Sequence, residues 1–131
     1  MRIWIAALPL LLAACLPERD RPTGRADYAT FCAACHGASG AGDGTLATDL
    51  IARPADLTRL SARNGGTFPK TAVMAKIWGY AEGTGHGEAV MPQFSALLDS
   101  DLVPYDGGDG IATPTPLRLV QVSEYLESLQ R

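Results

Sequence analysis

Cys32 and Cys35 stand three residues apart with His36 directly after them, in the string Phe31-Cys32-Ala33-Ala34-Cys35-His36-Gly37. On a helical turn, positions i and i+3 share a face, so the two thiols are spaced to add to two vinyl groups of one porphyrin. The imidazole one residue on is then placed to reach the iron, and the string is the signature of covalent haem attachment. Other chemistries suit these residues less well. A dithiol redox site lies between a strand and a helix, and no alternating strand-like run precedes Cys32. A structural zinc needs four ligands in one tetrahedron; the chain offers Cys32, Cys35, His36 and His86, of which two are adjacent. A disulfide across so short a loop would stabilise little.

The elements that must carry this string are helical. Tyr28, Phe31, Cys32 and Cys35 recur at spacings of three and four, which predicts one face of a first helix, directed at the haem. Ala72 to Tyr80 forms a middle helix between Asn64-Gly65-Gly66-Thr67-Phe68-Pro69 and Gly83-Thr84-Gly85. Leu117 to Gln130 forms the closing helix, with Thr115 as N-cap, Pro116 at the first helical position and a stripe of Leu119, Val122, Tyr125, Leu126 and Leu129. It should pack across the first. No strand is expected.

Export is written into the N-terminus. Arg2 and the apolar run Ile3 to Ala14 have the order of a secretory signal, and the run is too short to span a bilayer, which takes about 20 residues. It ends Leu12-Ala13-Ala14-Cys15, which resembles the bacterial lipoprotein box, in which the cysteine is lipidated and becomes the first mature residue. We therefore expect residues 1–14 to be a signal peptide of lipoprotein type and 15–25 a lipidated N-terminus and flexible tether, rich in charge and proline. Residues 26–131 form the domain. Attachment of haem outside the cytoplasm agrees with this address.

From Ala26 to Arg131 the chain resembles a class I, monohaem, bacterial c-type cytochrome. Three blocks carry the resemblance: Tyr28 to Thr58 with the attachment string, Gly40, Gly42-Asp43-Gly44 and Pro54-Ala55-Asp56-Leu57-Thr58; Val90-Met91-Pro92-Gln93-Phe94; and the closing helix with Tyr125. The resemblance implies an all-α fold of three to four helices with long loops around one covalent haem c. It implies that Cys32 and Cys35 bind the porphyrin, that His36 is an iron ligand, and that Pro54 supplies a carbonyl to the Nδ1 hydrogen of His36. It further implies that Phe31 and Tyr125 close the helix crossing.

The second axial ligand is expected to be Met91, since a loop methionine beside Pro92 can be held rigid. Met74, beside Ala72, Val73 and Ile77, reads as core packing. His86, between Gly85 and Gly87, is the competitor. Met/His ligation would make the haem relatively oxidising.

The function expected is electron transfer on the periplasmic side of a bacterial membrane, with redox proteins of a respiratory chain or a periplasmic oxidoreductase as partners. The alternatives are a tethered haem subunit of a membrane oxidase or dehydrogenase, and a haem protein with an open sixth site for gas or peroxide. Composition narrows the partners further. With 11 Lys+Arg against 14 Asp+Glu, a net charge of −3 and no basic run, the chain lacks the footprint of a nucleic-acid binder. Arg59, Arg63, Lys70 and Lys76 could form a small basic rim for an acidic partner. The stretch Ser95 to Pro116 is longer than a direct link to the last helix; Asp106 and Asp109 hint at calcium, but EF-hand order is absent, and docking or haem shielding is the preferred reading.

Overall fold

A computed structural model describes residues 23–79 and 91–131; the export segment, Cys15 and His86 lie outside the described residues. The first helix, α1 (Gly24–Phe31), starts where the Thr23 hydroxyl accepts the Ala26 N–H at 3.2 Å. It therefore takes in residues that the composition assigned to the tether. After Cys32 the chain re-forms a single turn, α2 (Ala33–His36), and leaves it through Gly37 at φ 81°. A 3₁₀ turn (Leu57–Arg59), α3 (Leu60–Arg63) and α4 (Lys70–Trp78) follow. After Met91 come α5 (Ser95–Leu98), strands β1 (Leu102–Asp106) and β2 (Ala112–Pro116), and the closing helix α6 (Leu117–Ser128).

The frame is the crossing of α1 on α6. Leu119, Val122, Ser123 and Leu126 of α6 are buried at helical spacing against Tyr28 of α1, with Met74 and Ile77 of α4 in the same core. Each such fully buried aliphatic side chain contributes about 1.5–3 kcal/mol. The helices meet most closely at Gly24, where a Cβ would fall 1.9 Å from the Gln121 carbonyl oxygen. The aromatic pair that closes the crossing is Tyr28 with Tyr125, ring centroids 5.3 Å apart, rather than Phe31 with Tyr125. Phe31, one turn further along α1, packs on Phe94 at 5.8 Å instead.

Two helices differ from expectation at their boundaries. The middle helix begins at Lys70, two residues earlier than the sequence suggested, and ends at Trp78, capped by Gly79 in the left-handed region at φ 89°. The closing helix begins at Leu117, because Thr115 belongs to β2 and its hydroxyl donates to the Thr113 carbonyl. Pro116, at ψ 125°, is still extended and acts as the flank of the helix.

The small sheet is the main departure from an all-helical expectation. β1 pairs antiparallel with β2 from Leu102↔Pro116 to Asp106↔Ala112, so that Pro104 faces Pro114. Proline-rich segments read poorly as strands, which hid this pair, although the Asp106-Gly107-Gly108-Asp109-Gly110 turn between them is a hairpin signal. The overall architecture remains the small helical cytochrome c fold that the resemblance implied, with a hairpin added before its last helix.

Two substitutions on the α1/α6 frame should move stability in opposite directions in thermal or denaturant unfolding of the mature protein. Gly24→Ala forces the helices apart and should cost about 1–3 kcal/mol. Ser123→Ala should gain up to about 1 kcal/mol, because the buried Ser123 hydroxyl has no hydrogen-bond partner among the described residues.

Candidate functional site

The site is assembled on α2 and the loops that return to it. Gly42 N–H donates to the His36 carbonyl at 2.8 Å, Gly44 N–H to that of Cys35 at 3.1 Å, and Leu46 N–H to that of Ala34 at 2.8 Å. Glycine is required at two of these approaches: a Cβ on Gly44 would lie 2.3 Å from the Ala34 carbonyl oxygen, and one on Gly42 2.4 Å from that of Pro54. The glycine-rich segment 37–44 is therefore crowded by the protein's own backbone.

His36 is half-buried, and its Nδ1 lies 3.0 Å from the carbonyl oxygen of Ala55. A carbonyl only accepts, so Nδ1 carries the hydrogen and the neutral ring keeps its Nε2 lone pair for a metal. The expected acceptor, Pro54, is one residue out. Its carbonyl points at Gly42, and the alternation of carbonyl direction along extended chain hands Ala55 to the imidazole. The segment is braced on both sides: Leu57 N–H donates to Gly40 at 2.7 Å, and the Asp56 carboxylate accepts from the Thr58 N–H at 2.9 Å and hydroxyl at 2.6 Å. That hydroxyl, then the Thr58 N–H, with Arg131 and Arg63 nearby, holds the Asp56 carboxyl below the usual range. Gln130 clamps the same segment, donating to the Leu57 carbonyl and accepting from Ser61 N–H.

Both cysteines are free thiols, Cys32 buried and Cys35 half-buried. Burial, helped by the charges of Asp27 and Cys35, pushes the Cys32 thiol up to about 11, so it is neutral at physiological pH. Among the described residues no cluster of three or more His, Cys, Asp or Glu is placed to hold a metal ion. Asp106 and Asp109 spend an oxygen each on N–H groups of their own turn, at Gly108 and Gly110 and at Ile111.

Met91 is half-buried and packs against the core cluster that contains Cys32, Phe68 and Ile77. Its segment lies over the end of α4, where Gly79 leaves room for the Gln93 side chain, and is pinned to the end of α1 through Phe94 on Phe31. Met74 is buried in the core. Leu46, tied to α2 through its N–H, leaves nearly half of its surface open, as does Leu50, and Ile51 is 93% exposed. The basic rim is weaker than its sequence suggested, since Lys70 pairs with Glu127 at 3.1 Å and Arg63 donates to the Asp56 carbonyl.

Two free thiols on one helical turn, an imidazole with Nδ1 committed, a half-buried thioether and open apolar side chains are a donor set that fits haem. They define a small helical domain of the haem-binding class. The cytochrome c family model matches residues 23–103, and the chain belongs to that family: it is a c-type cytochrome that binds haem c covalently and exchanges electrons with redox partner proteins. No curated protein and no solved structure matches the chain.

Sequence reasoning missed Ala55, whose role is carried by its backbone, and missed the pairing of Asp27 with Arg118, which are remote in the chain. Tyr28, expected on the haem-facing side, is buried against Tyr125 of α6 and donates its hydroxyl to the Gly37 carbonyl at 2.7 Å, tying the exit of α2 to the core. Burial pushes its phenol from 10.0 up to about 12. The unfolded chain thus ionises first, and this source of stability is complete below pH 10 and lost as pH rises to about 12. Tyr28→Phe should be about 1 kcal/mol less stable at pH 7, and the gap should close between pH 10 and 12 in unfolding titrations of both proteins.

Proposed function

We propose that this chain is a bacterial class I monohaem cytochrome, made as a lipoprotein and held at the periplasmic side of a membrane by lipid on Cys15. Cys32 and Cys35 carry the thioether bonds, and His36 and Met91 are the axial ligands. It passes single electrons between proteins of a respiratory chain or a periplasmic oxidoreductase and is not an enzyme. The observation that carries this reading is the His36 to Ala55 hydrogen bond beside two free thiols, because it presets the tautomer that an iron ligand needs.

Bound haem supplies a one-electron ferric/ferrous couple. The chain's own part is to hold its ligands still. Ala55, braced by Asp56, Thr58 and Gln130, fixes the imidazole plane and raises its donor strength. The Met91 segment, seated on α4 and on Phe31, offers a neutral sulfur ligand and, with Leu97 and Phe68, an apolar surrounding that excludes water. The lipoprotein reading rests on Leu12-Ala13-Ala14-Cys15. Each buried CH₂ of an acyl chain adds ~0.8 kcal/mol, so several chains on one cysteine anchor stably.

The visible spectrum of the matured protein in both oxidation states, with carbon monoxide added to the ferrous form, tests the reading. Expected are a low-spin haem, a sulfur-to-iron charge-transfer band that disappears in Met91→Ala, and no carbon monoxide adduct in the wild type. A low-spin haem without that band would transfer the sixth position to His86. High-spin iron that takes carbon monoxide readily would overturn electron carriage in favour of gas binding or peroxide chemistry.

A further inference from the structure

Arg118, in the first turn of α6, joins the thiol-bearing side of the site to the methionine-bearing side. Its Nε donates to Asp27 Oδ2 at 3.0 Å and its Nη2 to Asp27 Oδ1, a two-pronged pair with a carboxylate that is 3% exposed on α1. Its remaining nitrogen, Nη1, donates to the carbonyl of Ala96 in α5 at 2.7 Å. The guanidinium carbon also lies 5.8 Å from the centre of the Phe31 ring, and Phe31 packs on Phe94. The Arg118 N–H adds a bond to Ser100 Oγ at 3.2 Å, and Leu117 N–H one to the Asp101 carbonyl at 2.8 Å.

These contacts follow a plan along the chain. Phe31 immediately precedes Cys32, and Phe94 and Ala96 lie three and five residues after Met91. One planar cation therefore spans the start of the thiol-bearing segment and the exit of the methionine-bearing one. A buried ion pair is a poor device for stability alone, since desolvation offsets much of the attraction and a well-packed apolar pair does as well. Its geometry is another matter. The guanidinium fork fixes direction as well as distance at each nitrogen, which a lysine or an apolar side chain cannot do.

We propose that Arg118 is a positioning residue for the sixth ligand: by fixing α5 to α1 it holds Met91 on the haem iron and sets how often that bond opens. This rests on Met91 being the ligand, as argued above. An open sixth position is read by an added competitor, because the apparent affinity for the competitor scales with the fraction of time that methionine is off.

The test is imidazole binding to the ferric holoprotein, followed by loss of the sulfur-to-iron band. Arg118→Lys keeps a charge for Asp27 but cannot also reach Ala96, and should tighten apparent imidazole binding by about tenfold. Phe94→Leu, which removes the ring contact and leaves the ion pair intact, should shift it in the same direction by about threefold. Val120→Ala, a truncation of another buried residue of α6, should lower thermal stability and leave imidazole binding unchanged. An unchanged constant in Arg118→Lys, or an equal shift in Val120→Ala, overturns the inference. If Arg118→Lys does not assemble, Asp27→Asn, which keeps the shape of the partner and weakens the two-pronged pair, decides in its place, and an unshifted constant there overturns it. A wild type that lacks the band and binds imidazole as Met91→Ala does would instead overturn the ligand assignment, and this inference with it.

Discussion

The approach of α1 to α6 at Gly24 governs where everything else can stand, because α1 runs directly into Cys32, Cys35 and His36 while α6 carries Arg118 and the core stripe. With the Gln121 carbonyl filling the place of a side chain, the helix axes are as near as backbone allows, and Tyr28 can reach Tyr125 across the gap. A wider crossing would carry the Tyr28 hydroxyl off the Gly37 carbonyl and free the turn that ends at His36. A contact made of backbone at one end of the helix thus reaches the imidazole at the other through a rigid element and one hydrogen bond.

A second set of restraints works on the histidine from the opposite side. Segment 54–58 is held by Gly40, by its own Asp56 and Thr58, and by Gln130 beyond the end of α6. The closing helix therefore supports both the thiol-bearing turn and the loop that orients its neighbour. Chain regions far apart in sequence meet within one small core, which is how a fold rich in loops keeps a site in register. Arg118 extends the same logic to the methionine segment, where the restraint is ionic and directional.

Much of this was legible in the amino-acid order, and the parts that were not share a physical cause. The attachment string and the closing stripe depend on side-chain type at fixed helical spacing, which sequence displays directly. The partner of His36 depends on a carbonyl, and every residue has one, so the resemblance pointed to Pro54 while the turn presented Ala55. Gly24 sits among prolines and charges and read as tether; its value comes from what lies opposite in space. The aromatic closure failed by three residues, about one turn, Tyr28 for Phe31, because both are packed, one against α6 and the other against Phe94. Strands β1 and β2 were invisible because their prolines argue against a ladder, yet the two prolines that face one another share a position where no ladder bond is made.

That pairing reaches beyond the hairpin. With Pro104 opposite Pro114 at a site without mutual bonds, alternation makes Leu102↔Pro116 and Asp106↔Ala112 unbonded sites too, and at such sites the amides turn outward. Along the free margin of β2 that leaves Ala112 with an amide hydrogen and Pro114 and Pro116 with none. A foreign strand laid along it would find carbonyl acceptors but a single amide donor, so templated growth of sheet on this margin is disfavoured. On this margin, recognition by a partner would fall to side chains and carbonyl oxygens, with the proline rings in place of donors.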